Sequence, residues 1–135
     1  MTDLADFLRA RIAERRAIAE AASPWPWKIN PDDPEEVLAS DNILVADVFA
    51  LSSNQTRNTT TFIATNDPAD VLADLDAKLA IIDAYKQAAY TLSLSAPGTA
   101  PHDLMTGARN YMHLTLQHLA RPFAGHPDYQ EDWAA

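Results

Sequence analysis

Apolar residues recur every three or four positions in three parts of the chain, a spacing typical of amphipathic helices. A first helix is predicted over residues 2–22, with Thr2 or Asp3 as its N-cap. Its apolar face is formed by Leu4, Phe7, Leu8 and Ile12, with Ile18 as a further candidate. Two further long helices are predicted over residues 67–91 and 102–120. The prolines that flank these segments explain why the three helices are separate.

The stretch "FIATNDPADVLADLD" predicts how the second long helix begins. Asp67 is expected to cap it, and Pro68 to occupy its first position, where a missing backbone N–H costs nothing. A short helix over Thr59–Thr65 is expected before this corner. Each feature of the stretch has a structural cause, so it is interpreted as a corner of the fold.

The segment between the first two long helices predicts a small antiparallel sheet. Trp27–Ile29 is expected to be extended, and Ser40–Asn42 to form the turn of a hairpin that runs on to Leu51. The polar sequence "SSNQTRNTT", residues 52–60, is interpreted as a loop. The predicted fold is α+β, with three longer helices packed on a sheet of about three strands, in one domain over residues 1–135.

Composition excludes several classes of function. The 135-residue chain has a formal net charge of -9, which argues against general nucleic-acid binding. It has 0 cysteines, so disulfides and thiol chemistry are excluded, and a cytoplasmic location is expected. No apolar run approaches the roughly 18 residues of a membrane span, and no signal-peptide pattern occurs at the N-terminus. We therefore expect no membrane partner.

Catalytic and cofactor motifs are missing from the sequence. The chain has only 3 glycines, and their positions match neither a phosphate-binding loop nor a dinucleotide-binding fingerprint. His113 and His118 are five apart, a poor spacing for a helical metal pair, so no metal or cofactor is expected. His126 and Asp128 form the one arrangement that could serve acid–base catalysis, but no nucleophile adjoins them. The leading expectation is a protein without enzymatic activity.

Five residues are candidates for binding a small ligand. Trp25 and Trp27 are two apart, so on an extended chain they share a face that could stack on a base or sugar. Arg11 and Arg15, in an arginine-rich stretch of the first helix, could hold an anion, and His126 is the fifth candidate. The competing interpretation is that the tryptophans pack in the core and the arginines form a solvated helix face.

Several blocks of the sequence together resemble a known group of proteins. They are "LADFLRARIAE", "PWPWKI", "ILVADV", "FIATNDPADVLADLDAKLAIID" and "LARPFAGHPDYQEDW". In their order they resemble an uncharacterised family of small actinobacterial and actinophage proteins, a domain of unknown function. The pair "PW" and, later in the chain, "FIATNDPADVLADLD" is also similar to a motif of small accessory proteins of tailed phages. The resemblance implies no catalytic residues.

Two functional hypotheses follow. The first is a non-enzymatic accessory protein of phage or prophage origin that engages a host protein, with homo-oligomerisation open. The alternative is a small-ligand or nucleotide-binding protein that uses the tryptophan pair and the N-terminal arginines.

Overall fold

The computed structural model describes residues 2–135, which form four α-helices and one three-stranded antiparallel sheet. In chain order the elements are α1 (Leu4–Ala21), β1 (Lys28–Asn30), β2 (Asp33–Leu38), β3 (Leu44–Asp47), α2 (Ser53–Thr65), α3 (Pro68–Leu94) and α4 (Ala100–Ala120). Two short 3-10 turns follow at Arg121–Phe123 and Glu131–Trp133. The predicted α+β class and the small antiparallel sheet are confirmed.

The described residues group into two compact units. The helical unit comprises the residues up to Arg15 together with Leu75–Ala135, and the sheet unit comprises Arg16–Asp74. The prediction of one domain over residues 1–135 stays a prediction.

In the helical unit, α1 and α3 run antiparallel. Lys86 Nζ lies 2.8 Å from Asp6 Oδ1, and Arg9 pairs with Asp83, so residue numbers rise along α1 as they fall along α3. Asp3 caps α1, because its Oδ1 accepts a hydrogen bond from the backbone N–H of Asp6 at 2.8 Å. The largest fully buried side chains of the unit are Phe7, Leu8, Ile12, Ile82 and Leu116.

The α3–α4 connection turns at Pro97–Gly98, where Gly98 adopts the left-handed φ of +81°. Thr99 then caps α4 by accepting from the backbone N–H of His102 at 3.4 Å. No side chain in residues 89–115 is buried; this segment is termed the hairpin end. The pairing of α1 with α3 places Leu4, the first residue of α1, level with Ala88, so the part of α3 after Ala88 extends beyond α1.

In the sheet unit, the strands lie in the order β1-β2-β3, and α2 packs on β2 and β1. Val37 of β2 is completely buried and pairs in register with Ile29 on one side and Ala46 on the other. Side chains alternate across a strand, so Glu36 and its register partner Asp47 point to the opposite face. The sheet therefore has one covered face and one that carries carboxylates.

The prediction of a loop over residues 52–60 is wrong, because α2 begins at Ser53. Ser52 caps the helix by accepting from the backbone N–H of Gln55 at 3.2 Å. The Thr56 and Thr60 hydroxyls donate to the carbonyls four residues earlier, at 3.1 and 2.6 Å. Because those bonds satisfy the hydroxyls, both threonines can be buried, and a polar sequence forms a packed helix.

Candidate functional site

Arg11 is buried in the helical unit and its guanidinium contacts the C-terminal segment. Arg11 Nη1 lies 2.8 Å from Nδ1 and 2.5 Å from Nε2 of His126, and 3.8 Å from Asp128 Oδ2. Its Nη2 donates to Glu14 at 2.9 Å. The His126 Nδ1 also accepts from the backbone N–H of Asp128 at 3.1 Å. Two of the predicted ligand residues, Arg11 and His126, thus contact each other.

A cluster of rings surrounds this contact. Phe7, one turn before Arg11 on α1, packs against four rings with centroid distances from 4.9 to 6.2 Å: Phe123, His126, Tyr129 and Trp133. Arg15, one turn further, places its guanidinium carbon 4.3 Å from the centroid of Phe123. One face of α1 is therefore covered by the C-terminal segment.

These contacts hold the C-terminal segment against α1. Arg11 joins a buried helix face to His126 and Asp128, and its cation lies 5.2 Å from the ring centroid of Phe7. In the described part of the chain, the polar side chains that contact His126 are Arg11 and Asp128. Arg11 Nε is buried and without a hydrogen-bond partner, so the site holds the guanidinium mainly by its terminal nitrogens.

The two candidate tryptophans belong to the sheet unit. The backbone N–H of Trp27 donates to Asp67 Oδ2 at 3.1 Å, and its indole Nε1 donates to the carbonyl of Ser23 at 3.0 Å. Trp25 is exposed and precedes a cis peptide bond to Pro26. Of the five predicted ligand residues, Arg11, Arg15 and His126 fall in one unit, and Trp25 and Trp27 fall in the other. A single site that uses all five stays a prediction.

A group of exposed apolar side chains adjoins β3, and the sequence did not predict it. Phe49 is 95% exposed and Leu51 is 99% exposed, and Ile43 and Leu44 are exposed as well. These four residues are termed the β3 surface. The apolar run "ILVADVFAL" predicts a strand as far as Leu51, but β3 ends at Asp47. The polar residues "SSN" that follow directly were the one signal in the sequence that the strand ends before Leu51.

Beside the β3 surface lies an edge strand with acidic neighbours. β3 is the last strand of the sheet, so one side of its backbone has no partner strand in residues 2–135. Between positions 28 and 48 the only base is Lys28, whereas six residues are acidic: Asp32, Asp33, Glu35, Glu36, Asp41 and Asp47. Glu36 and Asp47 are directly opposite each other in the ladder, and Asn30 donates to Glu36 at 2.8 Å. This side of the unit combines apolar anchors with negative charge.

Two cavities lie in the helical unit. One, of about 430 Å³, is lined by Tyr85, Arg109, Asn110 and His113. The second, of about 320 Å³, shares Tyr85 and His113 and reaches Gln130, Trp133 and the first residues of α1. Neither was predicted, because its walls combine residues that are far apart in the sequence.

Across positions 2–135 there is no group of three or more histidine, aspartate or glutamate side chains placed to hold a metal ion. Nor does any helix in that range have the length and apolar character needed to cross a bilayer.

Comparison with known proteins identifies the family. No curated protein and no solved structure gives a significant match to the sequence. A family of unknown function, DUF6221, matches residues 1–135. The match covers every element described above, and the chain therefore belongs to the DUF6221 family.

Proposed function

We propose that this chain is a non-enzymatic accessory protein of phage or prophage origin that acts in the cytoplasm and engages a host protein through the β3 surface. The observation that carries the proposal is the exposure of Phe49 and Leu51, at 95% and 99%. The phage or prophage origin and the host partner rest on the resemblance of the sequence blocks. Membership of a family of unknown function neither adds to that origin nor removes it.

Exposed apolar residues at a sheet edge favour a protein as the partner. Burying one large apolar side chain is worth about 1.5–3 kcal/mol, so two adjacent anchors can contribute substantially to an interface. An edge strand can also accept a further strand from a partner, whose backbone supplies the hydrogen bonds. Phe49 and Leu51 follow β3 closely in the chain, so the anchors and the open edge adjoin each other.

Charge indicates what kind of protein this partner is. Glu36 and Asp47 are like charges in direct cross-strand register, an arrangement that destabilises an isolated sheet. A lysine or arginine of a partner placed over this pair would relieve the repulsion. A basic host segment is therefore favoured over a second copy of this chain, since a second copy would bring the same carboxylates together.

The contacts of the arginines support protein binding over the small-ligand alternative. The Arg11 guanidinium already contacts Glu14 and His126, and that of Arg15 lies against Phe123. A ligand would have to displace those groups. If nucleotides do bind there, a ligand at 100 times its dissociation constant should raise the stability by about 2.7 kcal/mol in a thermal-shift assay.

The experiment is a quantitative capture from an actinobacterial lysate with two immobilised double variants. In the first, F49S and L51S remove the anchors of the β3 surface. In the matched control, I18S and L94S remove two other apolar side chains that are 72% and 71% exposed. We expect a protein that wild type and control both retain and that the F49S/L51S variant loses by at least tenfold.

Two results would count against the proposal. One is that all three baits retain the same proteins in the same amounts. The other is that a reproducible partner is lost by the control and kept by F49S/L51S, which would place the binding surface elsewhere.

A further inference from the structure

The cavity between α3 and α4 has polar walls and no acidic side chain. Its lining residues are Tyr85, Arg109, Asn110 and His113, and its volume is about 430 Å³. Small-molecule sites in proteins commonly measure about 300–1,000 Å³. The chain has 19 acidic residues and a net charge of -9. This cavity, by contrast, is lined by an arginine and by no carboxylate, so its lining does not share the negative charge of the chain.

Arg109 is available to a ligand. It forms no ion pair among the described residues, and its Nη2 donates only to Asn110 Oδ1, at 3.3 Å. Other basic residues of the helical unit are engaged, since Arg9 pairs with Asp83, Arg11 with Glu14, and Lys86 with Asp6. A guanidinium presents paired donors that match the two oxygens of a carboxylate or phosphate, so Arg109 is suited to hold an anion.

The remaining walls of the cavity are formed by the Tyr85 and His113 rings and the Asn110 amide. The Tyr85 and His113 rings lie 6.0 Å apart between centroids, tilted by 46°. Aromatic faces of this kind stack on planar ligands, and an asparagine amide can both donate to and accept from a ring edge. Tyr85 and His113 also line the neighbouring cavity of about 320 Å³, which leaves room beside the ring wall for further ligand atoms.

We propose that this cavity binds a small planar organic anion, an aromatic ring that carries a phosphate or a carboxylate. Arg109 holds the anionic group, the Tyr85 and His113 rings contact the planar part, and Asn110 hydrogen-bonds to its edge. The site shares no residue with the tryptophan and arginine site expected from the sequence. It lies in the helical unit, whereas the β3 surface lies in the sheet unit, so neither proposal depends on the other.

The test is a titration of ¹⁵N-labelled protein followed by NMR, with four probes. AMP and 4-hydroxybenzoate carry a ring with a phosphate or a carboxylate; adenosine lacks the anion, and inorganic phosphate lacks the ring. We expect AMP or 4-hydroxybenzoate to shift the amides of Tyr85 and residues 109–113 saturably. Adenosine and phosphate should bind at least tenfold more weakly.

Two matched variants distinguish binding in this cavity from a general effect of removing a positive charge. R109Q should weaken binding of the better probe at least tenfold. R121Q removes the same charge from an arginine outside the cavity and should change affinity less than twofold. Y90F serves as a fold control, because Tyr90 is exposed and does not line the cavity, and it should preserve saturable binding. If neither ring-bearing anion shifts these amides at 10 mM, or if R109Q and R121Q weaken binding equally, the proposal fails.

Discussion

Asp67 accepts a hydrogen bond from the backbone N–H of Trp27, with 3.1 Å between the nitrogen and Oδ2, although 40 residues separate the two. The other oxygen, Oδ1, accepts from the backbone N–H of Asp70 at 3.0 Å and caps α3. One buried carboxylate therefore starts a helix and fixes the segment that leads into β1. This explains why an aspartate, rather than any other N-cap residue, stands before Pro68.

Replacing Asp67 by alanine should destabilise the protein by about 2–4 kcal/mol. Loss of an N-cap costs about 0.5–2 kcal/mol, and leaving the Trp27 N–H without an acceptor adds about 1–3 kcal/mol. Urea unfolding measures the change. D70A is the matched control: it removes an exposed aspartate from the same helix turn and should cost less than about 1 kcal/mol. Equal effects of D67A and D70A would show that the bond to Trp27 contributes nothing.

Replacing Asp47 by asparagine should stabilise the sheet unit. The substitution removes a like-charge pair with Glu36, an effect of about 0.2–1 kcal/mol for directly opposed strand residues. The gain should shrink as salt is raised, because salt screens exposed charges. Urea unfolding at two ionic strengths measures both effects. D32N removes the same charge outside the strand pairing and should have a smaller effect; if it stabilises as much, net charge rather than register is responsible.

Replacing Trp133 by alanine should cost about 3–5 kcal/mol, the range for truncating a buried aromatic side chain. Trp133 is 7% exposed and contacts Phe7 and Tyr129, with ring centroids at 4.9 and 5.7 Å. Thermal or urea unfolding reports the loss. Y111A truncates an aromatic side chain that is 78% exposed and should change the stability by less than about 0.5 kcal/mol. Comparable losses in both variants would contradict the docking of the C-terminal segment.

The hairpin end should exchange its amide hydrogens faster than the rest of α3. Residues 89–115 have no buried side chain, whereas Leu75, Ile82 and Ala88 of α3 are buried. Local opening is easiest where few apolar contacts are lost. Hydrogen–deuterium exchange should give lower protection over residues 104–112 than over 75–88. Equal protection would indicate that the hairpin end is covered, as it would be in a homo-oligomer.

Local signals in the sequence predicted much of the fold. Asp67 and Pro68 specify the start of α3 through groups a few residues away, and Pro97–Gly98 specifies the turn before α4. The helix over residues 53–60 was missed because Thr56 and Thr60 look polar until their hydroxyls are bonded to carbonyls of the same helix.

The candidate sites depend on contacts that the sequence does not record. Arg11 was expected to form a solvated face or to bind a ligand, but its partner His126 lies 115 residues away. The walls of the cavity join Tyr85 to Arg109 and His113 across a turn. Phe49 and Leu51 are exposed because β3 ends at Asp47. The apolar pattern alone predicted a strand that continues to Leu51.

The most direct test of the central claim, that the β3 surface is where a partner binds, is photo-cross-linking inside actinobacterial cells. A benzophenone side chain is placed at position 49 in one strain and at position 94, also exposed, in another. We expect a discrete cross-linked protein from position 49 that position 94 does not give. No adduct at position 49, or the same adducts from both positions, would contradict the claim.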